Sequence, residues 1–362
     1  MQLPRSVREI DAGWLTEALR EGGLAEASVQ TVRTEAIGEG AGFAGELARL
    51  TVAYGPAATE GPRTMIAKVP TQVPEARALF VAAGIYAAEG SFYRDLASMV
   101  PIRTPRCYFN GMDVQSGDFV LLLEDLAPAR VGDQIRSCTR AEAEMIVHQL
   151  ARLHARFWAD PQLDALAWLA SLRDARKDLT PLYPFIWPLT KERVGDLLTP
   201  KVVDIAASLA QHLPRVAKLL ATPPMTLTHG DYRLDNMLFE VGEPPGEFAV
   251  IDWQAVAGMR GVADLAYFMT GSLTTEDRRA WGDDLVAFYM ARLEDGGVRG
   301  YSMAECRRDF ALALLQQLSV SVLLMSGADL SVEGRGTELA KAMLQRTNAI
   351  FEDTDVDEAL KE

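Results

Sequence analysis

Apolar and polar residues alternate in short runs over the first third of the chain, and helical spacing takes over after residue 139. After a helix expected around Asp11–Glu21, residues 29–37, Glu46–Tyr54 and Thr64–Pro70 read as strands. Gly55-Pro56 and Gly61-Pro62 bracket the loop between the second and the third. Residues 75–98 read as one helix, followed by strands at Arg106–Asn110 and Asp118–Leu123 with Gly111 and Gly117 marking the turn between them. Thr139-Arg140-Ala141-Glu142 has the capping-box pattern, and Ile146, Leu150, Leu153 and Phe157 then share one helical face. This order predicts an α+β, two-lobed fold: a small N-lobe with a five-stranded antiparallel sheet plus a helix, and a larger, mostly helical C-lobe. The apolar run Phe119–Leu123 ends at Glu124-Asp125-Leu126, and Pro128 and Gly132 follow, so the boundary is expected between 1–124 and 125–362.

Composition narrows the possibilities. With 362 residues the chain is long enough for about two domains with cores of their own. Its 36 basic and 50 acidic residues leave a net charge of −14, which offers no footprint for nucleic acid or for an anionic membrane. The 3 cysteines, Cys107, Cys138 and Cys306, are widely separated and suggest neither a disulfide framework nor a zinc site. The first residues are too charged for a signal peptide, and no apolar run is expected to span a membrane, so a cytoplasmic protein, monomer or homodimer, is the expectation. The acidic end, EDTDVDEALKE, is expected to be solvated or disordered.

The candidate chemistry lies in two places. Thr228-His229-Gly230-Asp231-Tyr232-Arg233-Leu234-Asp235-Asn236 is followed, sixteen residues beyond Asn236, by Val250-Ile251-Asp252-Trp253. With only 4 histidines in the chain, H-G-D-x₄-N is not a chance pattern. An aspartate, an asparagine five positions on, and an aspartate closing an apolar run form the set that phosphoryl transfer needs. Asp231 is the candidate base, orienting a hydroxyl and taking its proton. Asn236 and Asp252 are oxygen donors suited to Mg²⁺. His229 is expected to brace the loop, His154 to be a satisfied core histidine, and Asp264 to hold backbone N–H groups nearby. The reading requires Asp231, Asn236 and Asp252 to converge on one magnesium–nucleotide complex.

In the N-terminal part, Gly38-Glu39-Gly40-Ala41-Gly42-Phe43-Ala44-Gly45 lies between two strands, unlike glycine loops that end on a helix. Gly38, Gly40, Gly42, Phe43 and Ala44 could press backbone N–H groups onto nucleotide phosphates, or could form a hairpin tip with no ligand. Lys68 lies within a short apolar strand, on the same face as Ile66. Glu89 lies on the apolar stripe Ile85, Glu89, Phe92, Leu96. Each charge is costly alone, and a Lys68–Glu89 pair resolves both and aims the ammonium at the phosphates of ATP.

HGDYRLDNMLF (229–239), VIDWQ (250–254), DLAYF (264–268), LLLEDL (121–126), LARLHARFW (150–158) and EGSFYRDL (89–96) together resemble the aminoglycoside phosphotransferase and choline kinase superfamily, and within it the ecdysteroid-kinase-like branch. The resemblance spans roughly residues 29–290. It implies a protein-kinase-like fold and transfer of the ATP γ-phosphate to a hydroxyl of a small-molecule acceptor. It implies Asp231 as base, Asn236 and Asp252 on the metal, and adenine against backbone groups of Glu124, Asp125 and Leu126. The glycine loop departs from the family pattern in its extra glycines and missing hydroxyl.

Phe157, Trp158, Trp168, Tyr183, Phe185 and Trp187 are concentrated in one stretch. They are either core packing or, in part, the lining of a pocket for an acceptor with an apolar body. An antibiotic phosphotransferase and a catalytically inactive nucleotide-binding regulatory module are the alternatives. A protein kinase is disfavoured, because Asp-Phe-Gly and Ala-Pro-Glu are both absent.

Overall fold

The computed structural model describes residues 1–37, 45–56, 61–113, 116–177, 180–243, 246–328 and 330–361. The candidate phosphate-contacting residues Gly38, Gly40, Gly42, Phe43 and Ala44 lie outside the described residues. Two compact units divide the chain: Met1–Arg130 with Phe239–Gln254, and Val131–Leu238 with Ala255–Glu362. The expected division assigned all of 125–362 to one piece, whereas Phe239–Gln254, which carries Asp252, packs with the first unit.

In the first unit, α1 (Ala12–Glu21) precedes β1 (Val29–Ile37), β2 (Gly45–Tyr54) and β3 (Thr64–Pro70); α2 (Pro74–Ala82) and α3 (Ile85–Asp95) follow, then β4 (Cys107–Asp113) and β5 (Asp118–Glu124). The strands form one antiparallel sheet in the order β1-β2-β3-β5-β4. Both faces are covered, so the run Phe119–Leu123 can be apolar throughout. Val120 and Leu122 pack with Met65, Ala67 and Val69 against Leu15 and Leu19 of α1. Phe119, Leu121 and Leu123 face the other way, with Tyr86 of α3 and Ile66. Lys68 shares the parity of Ile66 and is therefore carried on the face that packs with α3.

Two local expectations are corrected. The helix expected over 75–98 is two helices, because Gly84 adopts the left-handed conformation (φ 70°) between them. Gly111 is not a turn residue but lies within β4, where an added Cβ would crowd the Phe109 ring.

The second unit is mainly helical: α4 (Arg140–Arg156), α5 (Pro161–Ala165), α6 (Ala167–Lys177), α7 (Tyr183–Val194), α8 (Pro200–Leu220), α9 (Val262–Gly271), α10 (Thr275–Asp295), α11 (Met303–Ser326), α12 (Arg335–Asp353) and α13 (Asp357–Lys361). The capping box opens α4: the Thr139 hydroxyl accepts from the Glu142 N–H, and Glu142 accepts from the Thr139 N–H at 2.8 Å. Ile146, Leu150, Leu153 and Phe157 are all fully buried.

The acidic end is not a loose tail, since Val356 and Ala359 pack into the core formed with α8 and α11. By length and apolar composition, α11 would suffice to cross a membrane, contrary to the expectation of no such run. Its residues Leu312, Leu315 and Leu318 are nonetheless core residues, packed with Leu209 and Val216 of α8. The aromatic stretch is divided: Phe157, Tyr183 and Trp187 are buried, Trp158 and Trp168 are half-buried, and Phe185 is 75% exposed.

Candidate active site

In the first unit, β3 and α3 bring Lys68 and Glu89 together, with Lys68 Nζ 2.6 Å from Glu89 Oε2. The same ammonium donates to Asp252 Oδ1 at 2.8 Å, a contact that the sequence did not reveal. Burial works against the lysine charge, but Asp252 and Glu89 outweigh it and hold the pKa above the ordinary lysine value. Burial also raises the Glu89 pKa; attraction to Lys68 offsets this in part, and Asp252 adds to it. One ammonium between two carboxylates leaves a net negative charge, and a cationic or metal-bearing ligand would relieve it.

The chain after Asp252 is anchored on the same helix. Trp253 stacks on Phe92 of α3 with ring centroids 4.1 Å apart and planes 5° from parallel. Before Asp252, Val250 N–H donates to the Arg103 carbonyl at 3.0 Å. Asp252 itself is left-handed, φ 65°, a conformation that aspartate tolerates better than most side-chain-bearing residues.

The residues expected at the adenine are close by in the same unit. The Glu124 carboxylate accepts from Arg103 Nη2 at 2.7 Å and 2.8 Å, and the Asp125 carboxylate accepts from Arg49 Nε at 2.7 Å. Both side chains are therefore engaged structurally. The backbone amide of Leu126 donates to no acceptor among the described residues.

The second unit carries Asp231 on a loop fixed from beneath. Asp264, on α9, accepts from the His229 N–H at 2.7 Å with Oδ2 and from the Gly230 N–H at 2.8 Å with Oδ1. His154 Nε2 lies 3.3 Å from Asp264 Oδ2, and its Nδ1 lies 2.8 Å from the Tyr289 hydroxyl. A neutral ring donating through Nε2 and accepting at Nδ1 satisfies both. The Asp231 N–H donates to His229 Nδ1 at 3.2 Å, so His229 braces the loop from within.

Gly230 has φ +81°, and an added Cβ would overlap the Ala255 carbonyl oxygen. Only glycine suits that position. The Asp231 carboxylate accepts from Asn236 Nδ2 at 2.9 Å and from Arg233 Nε at 3.1 Å. The Asn236 amide nitrogen also donates to the Asp231 carbonyl at 2.9 Å.

With its nitrogen so committed, Asn236 retains its amide oxygen, which makes no hydrogen bond among the described residues. The Asn236 oxygen, in the second unit, and the Asp252 carboxylate, in the first, are each a hard oxygen donor of the kind that Mg²⁺ takes. Among the described residues, no group of three or more His, Cys, Asp and Glu could hold a metal ion. Asp231 and Asn236 are joined in the second unit, and Lys68, Glu89 and Asp252 in the first.

Two neighbours of Asp231 escaped the sequence reading. Tyr267 lies near enough to feel the Asp231 charge, and desolvation together with that carboxylate raises its pKa well above the ordinary tyrosine value. Its spacing, three residues after Asp264 on α9, was a usable signal. Gln134 accepts from Arg233 at 3.1 Å, and nothing local in the sequence marks it.

A five-stranded sheet backed by helices, preceding a helical unit that bears an H-G-D-x₄-N loop, defines the protein-kinase-like fold. The profile of the ecdysteroid kinase-like family matches residues 39–158 and 185–298, and the chain belongs to that family. Among solved structures, it is similar to a Ralstonia eutropha JMP134 protein assigned to the aminoglycoside phosphotransferases, with TM-score 0.55, 17% identity, and 93% of this chain and 97% of that one covered. It is also similar to aminoglycoside 2'-phosphotransferase-IIIa in its GDP complex (TM-score 0.52, 14% identity, 95% and 99% covered). A third is the ethanolamine kinase of Plasmodium vivax (TM-score 0.50, 12% identity, 89% and 84% covered). At these identities the likeness establishes the fold. No curated protein matches the sequence.

Proposed function

We propose that this protein is an ATP- and Mg²⁺-dependent phosphotransferase that moves the γ-phosphate to a hydroxyl of a small molecule. The observation that carries the reading is the Asp231–Asn236 pair, joined at 2.9 Å on a loop whose backbone Asp264 holds. In this role Asp231 orients the acceptor hydroxyl and takes its proton as the oxygen attacks phosphorus and the bond to the leaving nucleoside diphosphate breaks. Lys68, fixed by Glu89, neutralises phosphate oxygens, and the adenine lies against backbone groups of Glu124, Asp125 and Leu126. Mg²⁺ would supply charge neutralisation at the phosphates, and Asn236 and Asp252 each carry an oxygen donor suited to it.

Family membership and the neighbours that are small-molecule phosphotransferases support this class. An acceptor with an apolar body is the narrower expectation, resting on the exposed Phe185 and Leu189 of α7 now that Phe157, Tyr183 and Trp187 are core residues. The test is a panel of hydroxylated small molecules, including aminoglycosides and sterol-like alcohols, with γ-labelled ATP or GTP and Mg²⁺. Labelled product from at least one acceptor, lost in Asp231→Asn, is the expected result. Nucleotide binding without transfer to any acceptor would favour the regulatory module.

A further inference from the structure

The family match ends at residue 298, yet α12, beyond it, makes direct contacts around the Asp231 loop. Arg346 of α12 is buried, and its guanidinium donates to the carbonyls of Gln134 at 2.8 Å, Ile135 at 3.1 Å, and Gly271 at the end of α9. All three of these acceptors are backbone carbonyls, and desolvation lowers the Arg346 pKa from the ordinary arginine value. Three charge-assisted bonds and the negative end of α9 offset the burial of that charge. At the other end of α12, Arg335 lies 2.8 Å from Asp235 Oδ1 and 3.2 Å from Asp133 Oδ1. Residues 133–135 are thus gripped twice by one helix.

Gln134 passes this grip on. It is almost fully buried, its N–H donates to Asp235 Oδ1 at 2.8 Å, and its side-chain oxygen accepts from Arg233 Nη1 at 3.1 Å. Arg233 in turn lies 3.0 Å from Asp231 Oδ1. A second acid competes for this arginine, since Asp235 Oδ2 is 4.0 Å from Arg233 Nη1. Gln134 and Arg335 occupy the other oxygen of Asp235 and hold Arg233 toward Asp231. Orientation matters here, because misplacing a reacting group by about 1 Å can cost about 10²-fold in rate.

We propose that Gln134, seated by Arg346 and Arg335 of α12, is a positioning residue that sets the Asp231 carboxylate through Arg233. The proposal rests on the reading of Asp231 as the base, and its test has one arm that needs no activity. Gln134→Leu removes the acceptor at similar volume, Gln134→Glu keeps it, and Arg335→Ala loosens the grip from an exposed position that the fold tolerates.

Hydrogen exchange of the peptide covering 229–237 is expected to quicken about tenfold in Gln134→Leu and less in Arg335→Ala, with α4 still protected. In turnover, Gln134→Leu is expected to lower kcat about ten- to a hundredfold with the nucleotide KM unchanged, and Gln134→Glu to stay within about threefold of wild type. In an Arg233→Met background Gln134→Leu should add nothing further, because both act on Asp231 by one route. Additive effects in that background, or unchanged exchange and kcat in both Gln134→Leu and Arg335→Ala, would overturn the proposal. Should Gln134→Leu fail to fold, Arg335→Ala decides in both arms. If the wild-type protein transfers phosphate to no acceptor, the base reading fails and exchange alone decides whether the loop is clamped.

Discussion

Around Lys68, two carboxylates share one ammonium that is almost wholly buried; around Asp231, one carboxylate is shared between Asn236 and Arg233. The first arrangement is held by attraction between charges in a poorly solvated place. The second is held by hydrogen bonds on a loop that Asp264 supports from below. The two should therefore fail differently. Removing the lysine strands a pair of carboxylates and threatens the fold of its unit. Neutralising the aspartate preserves its shape and most of its hydrogen bonds, so the loss should appear in rate rather than in stability.

The sharpest separation comes from Asp231→Asn. Transfer is expected to fall about 10²- to 10⁴-fold, equivalent to roughly 3–5 kcal/mol of transition-state stabilisation, with ATP affinity by calorimetry and the unfolding midpoint nearly unchanged. A variant that kept near-normal turnover would remove Asp231 from the base role.

Lys68→Met should show the opposite pattern, costing about 3–5 kcal/mol of stability because Glu89 and Asp252 lose their shared counter-charge. The loss should depend on pH. The folded-state pKa of Glu89 is already raised above its ordinary value, so the folded chain takes up that proton at higher pH than the unfolded chain does. Stability contributed by such a group falls as pH rises through the folded value. Without Lys68 the penalty for ionising grows, and Lys68→Met should lose more stability at pH 8 than at pH 5. Lysine's own pKa is raised, so its stabilising contribution is intact throughout that range and fades only at more alkaline pH. Urea midpoints at the two pH values measure the difference, and equal losses would mean that the carboxylates relax into water.

The same contrast explains what could be read from the chain alone. Lys68 and Glu89 each broke a local pattern, a charge in an apolar strand and a charge on an apolar helix stripe, and two misfits near in sequence suggest each other. Lys68–Asp252 joins residues 184 apart, and Asp252 offered no misfit, only a strand end. Arg346–Gln134 is 212 apart, and neither residue is a charge or amide stranded in an apolar run of the kind that marked Lys68 and Glu89. The sheet was legible because both of its faces are buried and its turns carry glycine. The stretch 75–98 divides at Gly84, whose positive φ is a backbone property that the helical spacing on either side does not reveal. The acidic end was misread because its charges masked Val356 and Ala359, which fill the helical core.

Gly230→Ala tests whether the aspartate loop depends on backbone shape as well as on hydrogen bonds. A side chain there must adopt a positive φ and displace the Ala255 carbonyl. A stability loss of about 1–3 kcal/mol is expected, with a fall in turnover because Asp231 is the next residue. Asp264→Ala should resemble it, exposing the His229 and Gly230 N–H groups that the carboxylate now satisfies, at about 1–3 kcal/mol by thermal unfolding. If Gly230→Ala were silent, the loop would be free to shift, and its hydrogen bonds would not define one geometry.

The smallest effect belongs to the stack of Phe92 on Trp253, because it supports the lysine constellation without carrying charge. Phe92→Leu keeps an apolar side chain on α3 but removes the ring face, and aromatic pairs of this kind contribute about 0.5–1.5 kcal/mol beyond the area they bury. Trp253 follows Asp252 directly, so a looser indole should let the Asp252 carboxylate drift from Lys68. The expected outcome is a stability loss near that range together with a weaker dependence of nucleotide affinity on Mg²⁺. A stability loss with the Mg²⁺ dependence unchanged would show that the Phe92 stack does not hold Asp252 in place, making charge rather than packing the organiser of that constellation.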